Sequence, residues 1–152
     1  MKEAAEDRVK TPQLLPVLYA PIQAGLHQVE EVFREVLQSK SPFVDDLVKY
    51  GFRLGGKRIR PALVLLSGLA CGSFGSDHIL LAAAVEMIHT ATLIHDDVLD
   101  EATMRRHLDT VNARWDNETS VILGDYLFAR AYAWPVRWGM CSPVASCTMP
   151  AV

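Results

Sequence analysis

Apolar residues recur every three or four positions along most of this chain, and this spacing restricts the fold more than any other feature of the sequence. From about Ile22 the apolar positions fall on one side of a helix with 3.6 residues per turn. No run shows the strict alternation of a half-buried strand, and no internal repeat is present. We therefore predict an all-α fold.

Proline, glycine and capping residues divide the chain into separate helices. We predict helices over residues 22–37, 42–51, 57–71, 78–99 and about 118–133, with a polar loop over 101–110. Ser41 is a candidate cap for the second helix and Asp77 for the fourth. Pro61 is tolerated only if it lies in the first turn of the third helix.

The composition excludes several classes of protein. A net charge of −3 argues against nucleic acid as the main partner, because phosphate-backbone binding needs a basic surface. We find neither a signal peptide nor an uncharged apolar run of membrane-spanning length, so we expect no transmembrane segment. Cys71, Cys141 and Cys147 lack metal-ligand spacing. These features favour a cytoplasmic protein with reduced thiols.

The last 19 residues differ from the rest. Residues 134–152 contain no Lys, Asp or Glu, but hold two of the three Trp and three of the eight Pro. Such a change is typical of a natural tail or of translation in a second reading frame, and we favour the second. The polar, proline-rich residues 1–21 form a separate segment at the other end.

The acidic stretch Asp96-Asp97-Val98-Leu99-Asp100 is the first candidate site. In a helix, Asp96 and Asp100 are one turn apart and about 40° apart in projection, so their carboxylates can converge. Carboxylate oxygens suit Mg²⁺, which bridges one or two carboxylates to substrate phosphates. The C-terminal end of a helix also attracts cations. By itself the pattern is more often a solvated helix end.

Basic residues surround this stretch. His89 projects within about 20° of Asp96, two turns below it, and could donate to an anion. Arg105 and Arg106 follow in the predicted loop, where guanidinium groups can hold diphosphate oxygens in a bidentate manner. Taken singly, each is more often a core histidine or a surface arginine.

A second basic group precedes the third helix. Gly55-Gly56 forms a hinge before the helix start, and Lys57 and Arg60 follow. Free N–H groups together with these cations can bind a second diphosphate.

Three stretches, in this order, resemble the trans-polyprenyl diphosphate synthase family: GGKRIRPALVLLSGLA (55–70), EMIHTATLIHDDVLDEATMRR (86–106) and ILGDYLFARA (122–131). The resemblance implies a helical bundle of the isoprenoid synthase type, with residues 22–133 as the N-terminal half of the synthase domain. It further implies a homodimer that uses Mg²⁺ to condense isopentenyl diphosphate with an allylic diphosphate.

The same resemblance implies roles for individual residues. The Mg²⁺ ligands facing the allylic diphosphate are Asp96 and Asp100, supported by Asp97, and Arg105 contacts that diphosphate. Isopentenyl diphosphate is held by Lys57, Arg60, His89 and Arg106. Ala91, Thr92 and Ile88 border the path of the growing hydrocarbon. None of these three is aromatic, as in medium- and long-chain members, although small residues there could equally pack against a neighbouring helix.

The sequence departs from the family pattern after Ala133, where no second aspartate cluster follows. We therefore expect a chain truncated to its N-terminal helices, with little synthase activity alone. One alternative is a non-catalytic partner subunit that dimerises with a full-length synthase. Another is a metal phosphohydrolase using His89, His95 and Asp96, which leaves the basic residues without a role.

Overall fold

The computed structural model describes residues 14–53 and 56–137, with side chains described as far as residue 133. These residues form α1 (Leu14–Tyr19), a 3₁₀ turn (Ala20–Ile22), α2 (Gln23–Val36), α3 (Pro42–Arg53), α4 (Ile59–Ala70), α5 (Ser76–Leu99), β1 (Met104–Arg105), β2 (Leu108–Asp109), α6 (Val111–Arg114) and α7 (Asn117–Arg137). The prediction of an all-α fold is confirmed, apart from one short hairpin.

Helix α5 is the centre of the bundle. It packs most extensively against α7, then against α4 and α2. The core contains its fully buried residues Met87, Ala91 and Ile94. Helix α5 is long and apolar enough to cross a membrane, judged by length and composition alone. Half of its apolar stretch is buried inside the protein, however, and a helix in the core of a protein has the same length and composition.

Gly51 allows close packing between helices, and this explains why the predicted end of one helix was wrong. We predicted that α3 stops at Gly51, yet it continues to Arg53. A Cβ atom on Gly51 would lie 3.3 Å from side-chain carbons of Ile94 and Leu123, so this glycine is needed for close packing rather than for ending the helix.

The start of α5 also differs from the prediction. Asp77 lies in the first turn and is not the cap. Gly75 is the N-cap residue, and its N–H donates to the His78 Nδ1 atom at 3.2 Å. The histidine ring, at the third helical position, therefore satisfies the backbone N–H of the N-cap residue, which glutamate or glutamine does in a capping box.

The loop over 101–110 contains the hairpin that the sequence did not predict. Its two-residue strands are too short to show an alternating pattern. Arg106 and His107 form the turn with φ of 52° and 66°, a left-handed conformation that hairpin turns require and that Asn-Gly usually supplies. Donation from the Tyr50 hydroxyl to the Asp109 carbonyl oxygen (2.8 Å) attaches the hairpin to α3.

Some predictions fall wholly or partly outside the described residues. They concern residues 1–13 of the N-terminal segment, Gly55 of the predicted hinge, and residues 138–152 of the tail. Helix α7 runs through Pro135 to Arg137, past its predicted end at Ala133.

Candidate functional site

Asp96 and Asp100 are both exposed at the C-terminal end of α5. The Asp100 N–H donates to the Asp96 carbonyl oxygen at 2.8 Å, so the helical spacing persists to the end of the acidic stretch. The two side chains therefore project from one face, one turn apart.

Asp97 has a different environment. Its side chain is 2% exposed, and the Arg105 guanidinium donates to it from Nε (2.9 Å) and Nη2 (2.7 Å). The backbone oxygen of Asp97 accepts from the Ala102 N–H at 2.9 Å. Asp97 thus connects the end of α5 to strand β1 and fixes the position of Arg105, a contact that the sequence did not predict.

Arg105 interacts electrostatically with all three aspartates of the acidic stretch. Its hydrogen bond to Asp97, and then the negative charges of Asp97, Asp96 and Asp100, raise the pKa of Arg105 above its usual value, while burial opposes this. The two exposed carboxylates are therefore within electrostatic reach of the guanidinium. One of the cations expected to bind diphosphate lies beside the candidate metal ligands.

The hairpin turn brings Arg106 to the loop before α4. A Cβ atom on Gly56 would lie 2.6 Å from Arg106 Nη1, so the guanidinium lies directly on the glycine backbone. A side chain at position 56 would force this guanidinium to move. The contact joins two positions that are 50 residues apart in sequence, and Arg106 lies next to the segment that carries Lys57.

His89 is half-buried and lies on the face of α5 that also carries Asp96, Thr92 and Ile88, which we call the open face. Burial, and then the positive charges of Arg60, Arg106 and Arg105, lower the pKa of His89 below its ordinary value of 6.5, whereas Glu86 acts in the opposite direction. Four of the predicted basic residues therefore converge. Such a concentration of positive charge suits a polyanion.

Lys57 is placed less directly. Its side chain is exposed, and its backbone carbonyl accepts from the Tyr19 hydroxyl at 2.8 Å. The residues that sequence reasoning missed here are Tyr19, Glu30, Arg58 and Glu86. Glu86 had a signal, since it is a carboxylate within the apolar stretch of the core helix.

The open face of α5 continues below Asp96. Thr92 and Ile88 are half-buried there, and Val85 and Leu81 extend the same stripe toward the helix start. Ala91 is fully buried in the core, so it packs against neighbouring helices and does not border this face.

The acidic pair fits Mg²⁺ but not an all-protein metal cage. Among the described residues, no three His, Cys, Asp or Glu side chains lie together in a way that could hold a metal ion. Mg²⁺ commonly takes one or two carboxylates and completes its shell with water and substrate phosphates. Asp96 and Asp100 match that requirement.

The structure does not support the phosphohydrolase alternative. The His95 Nε2–H donates to the Val121 carbonyl oxygen at 3.1 Å, and the ring packs on Phe128 of α7. A Cβ atom on Gly124 would overlap that ring. His95 therefore lies in the contact between α5 and α7.

A cavity of about 690 Å³ lies elsewhere, between α2 and α3. Phe33, Leu37, Val48 and Phe52 form its apolar wall, and Arg58 borders it. None of Asp96, His89 or Arg106 lines it, so we do not assign the reaction to this cavity.

The lowered pKa of His89 predicts a pH dependence of stability. Between the folded-state pKa and 6.5, the unfolded chain binds a proton that the folded chain does not. The free energy of unfolding should therefore decrease as the pH falls below about 6.5. Urea unfolding at about pH 7.5 and pH 5.5 measures this change, and His89→Gln should make it smaller. The exposed His27→Gln is the control, and an equal pH dependence in wild type and His89→Gln would contradict the prediction.

Comparisons with known proteins show which family this chain resembles. The family model described as Polyprenyl synthetase matches residues 41–146. The all-trans-nonaprenyl-diphosphate synthase (geranyl-diphosphate specific) of Rhodobacter capsulatus is 43% identical over 116 residues, covering 76% of this chain and 36% of the relative.

Solved structures show the same similarity. A decaprenyl diphosphate synthase from Rhodobacter capsulatus superposes with a TM-score of 0.78 and 40% identity, covering 82% of this chain and 39% of that one. A polyprenyl synthase from Caulobacter crescentus CB15, complexed with calcium and isoprenyl diphosphate, gives 0.77 and 34%, covering 82% and 38%. The chain spans little more than a third of the length of these proteins.

Proposed function

Because this chain belongs to the polyprenyl synthetase family, we propose that it supplies a metal–diphosphate site for condensing isopentenyl diphosphate with an allylic diphosphate. The observation that carries the proposal is the Asp97–Arg105 ion pair (2.7 Å), which fixes a guanidinium whose charge interacts with Asp96 and Asp100 and with His89. Opposite charges arranged in this way match a Mg²⁺-diphosphate beside a second diphosphate. The calcium and isoprenyl diphosphate in the Caulobacter crescentus structure support both ligand classes.

Each group has a separate task. Asp96 and Asp100 hold Mg²⁺, and Arg105, fixed by Asp97, donates to the allylic diphosphate. The isopentenyl diphosphate is held by Lys57, Arg60, His89 and Arg106. When bound, the metal neutralises negative charge that develops on the departing diphosphate.

The reaction needs no nucleophile from the protein. The allylic C–O bond breaks, and its electron pair leaves with the diphosphate. The double bond of isopentenyl diphosphate attacks the resulting allylic cation, and transfer of a proton to the released diphosphate restores a double bond in the product. Arg105 stabilises the negative charge that forms on the departing diphosphate, and electrostatic stabilisation of this kind is usually the largest catalytic contribution.

The product extends along the open face of α5. Thr92, Ile88, Val85 and Leu81 offer an apolar stripe with no aromatic side chain. This favours a medium- or long-chain product, as the names of the nonaprenyl and decaprenyl relatives indicate for those proteins. The protein acts in the cytoplasm as a homodimer.

Alone, this 152-residue chain converts its substrates slowly, because its aspartate cluster at residues 96–100 neutralises the departing diphosphate from one side. An acidic cluster without enough ligands for turnover also suits a non-catalytic partner of a complete synthase. Mixing this chain with a complete synthase distinguishes the two roles, because only a partner subunit should bind that synthase and alter its turnover.

Titration with geranyl diphosphate tests the proposal. We expect the 152-residue chain to bind this ligand with Mg²⁺ and to lose most of the affinity in EDTA. Equal binding in both buffers, or no binding in either, would overturn the metal–diphosphate assignment.

An activity assay tests the slow turnover and the partner role. Product formation from isopentenyl diphosphate and geranyl diphosphate is measured for this chain alone and for this chain mixed with the Rhodobacter capsulatus relative. Turnover close to that of the complete enzyme would contradict slow turnover, and altered turnover of the relative with co-elution would favour the partner role.

A further inference from the structure

Arg58 lies between two of the cations assigned to isopentenyl diphosphate but does not share their environment. Lys57 and Arg60 are exposed, whereas the Arg58 side chain is only 20% exposed. Sequence alone suggests a third phosphate-binding cation in the run Lys57-Arg58-Ile59-Arg60. In the structure, the Arg58 guanidinium instead points into the protein, toward Glu30 and Glu86.

Two carboxylates from different helices hold the guanidinium. Arg58 Nε donates to Glu30 Oε1 of α2 at 2.7 Å, and Nη2 donates to Oε2 at 3.4 Å. Nη1 donates to Glu86 Oε1 of α5 at 3.3 Å. The start of α4 is therefore connected to two helices through one side chain.

Aromatic rings complete the environment. The Arg58 guanidinium carbon lies 5.2 Å from the centre of the Phe33 ring and 5.9 Å from that of Phe52, distances that suit cation–π contacts. A planar guanidinium can make a bidentate contact and pack on aromatic rings, whereas a lysine cannot do both. The site therefore requires arginine specifically.

The backbone of Arg58 is strained. Its φ of 52° and ψ of 37° place it in the left-handed region, which residues with a Cβ atom seldom adopt. Such a conformation persists where surrounding contacts determine it, and it often occurs beside functional sites. The contacts to Glu30 and Glu86 supply that restraint immediately after Lys57.

Two other contacts hold the same short loop. The Tyr19 hydroxyl donates to the Lys57 carbonyl oxygen, and the Arg106 guanidinium lies on Gly56. Residues 56–58 are thus fixed from α1, from the hairpin turn and, through Arg58, from α2 and α5.

We propose that Arg58 is a positioning residue for the isopentenyl diphosphate side of the site, acting through Lys57 rather than touching phosphate. This inference rests on the proposed function. Without the contacts to Glu30 and Glu86, the left-handed backbone at Arg58 relaxes and the ammonium group of Lys57 moves away from the diphosphate. The buried Glu86 carboxylate also loses its ion-pair partner.

A double-mutant cycle tests the inference. Binding of isopentenyl diphosphate is measured by calorimetry for wild type, Arg58→Gln, Lys57→Ala and the double variant. We expect each single change to raise Kd about tenfold, and Arg58→Gln to add less than about threefold in the Lys57→Ala background, because coupled residues are not additive. A merely structural defect would act equally in both backgrounds. The exposed Arg53→Gln on α3 should leave Kd unchanged.

Three outcomes decide the question. Additive effects, or an Arg58→Gln variant that binds as wild type does, would overturn the inference. Reduced binding in Lys57→Ala together with unchanged binding in Arg58→Gln would leave the proposed function intact and reject only the role of Arg58. No binding by wild type would reject both. Should Arg58→Gln fail to fold, Glu30→Gln removes the two-pronged contact from the exposed side, and the same coupling to Lys57 is expected.

Discussion

Replacing Asp96 with Asn should weaken Mg²⁺-dependent binding of geranyl diphosphate at least about 100-fold. Loss of a group that merely supports a metal ligand costs about 10- to 100-fold in affinity, so loss of the ligand itself should cost more. Calorimetry in Mg²⁺ and in EDTA measures the change. Binding in EDTA should alter little, because the substitution acts through the metal.

The same substitution should not weaken the fold. Asp96 is exposed and lies at the C-terminal end of α5, where the helix dipole disfavours negative charge. Removing the charge should therefore leave the free energy of unfolding unchanged or raise it by up to about 1 kcal/mol. Asp77→Asn makes the same chemical change at the other end of this helix. Equal affinity in the two variants would contradict the assignment of Asp96.

Replacing Asp97 with Ala, in contrast, should destabilise the fold, with a loss of about 3 kcal/mol in the free energy of unfolding. Breaking a buried ion pair leaves an uncompensated charge and costs about 3–5 kcal/mol. We expect the lower end, because the Arg105 side chain is 29% exposed and water can partly replace its partner. Urea unfolding measures the loss.

The hairpin should show this loss locally. Without Asp97 the guanidinium of Arg105 has no fixed position, so β1 should exchange its amide hydrogens faster. Asp109→Ala, on the exposed face of β2, is the matched control and should change stability by less than about 0.5 kcal/mol. A fully stable Asp97→Ala variant would show that the bond to Arg105 does not hold the hairpin.

Periodicity sufficed for the five longer helices α2, α3, α4, α5 and α7, and for the spacing of the acidic pair. Apolar spacing depends on local geometry, and the one-turn separation of Asp96 and Asp100 follows from that geometry alone. The convergence of His89 with distant arginines was expected only through the family resemblance. No local pattern predicts that Arg106 contacts Gly56, because the contact depends on how the hairpin folds back.

Two features of the structure could be recognised only from the backbone conformation. Lys57 and Arg58 are adjacent and chemically alike, but the left-handed conformation of Arg58 sends its guanidinium toward α2 and α5. The hairpin was missed for a related reason, since Arg106 and His107 adopt positive φ without the glycine or asparagine that usually marks such a turn. In both places tertiary contacts override local preference.

A crystal structure with Mn²⁺ and an allylic diphosphate is the most direct test of the metal–diphosphate site, because Mn²⁺ replaces Mg²⁺ and is identified by its anomalous scattering. We predict a peak at about 2 Å from carboxylate oxygens of Asp96 and Asp100, shared with diphosphate oxygens and facing Arg105. A metal bound elsewhere, with both carboxylates in solvent and the diphosphate away from Arg105, would contradict it.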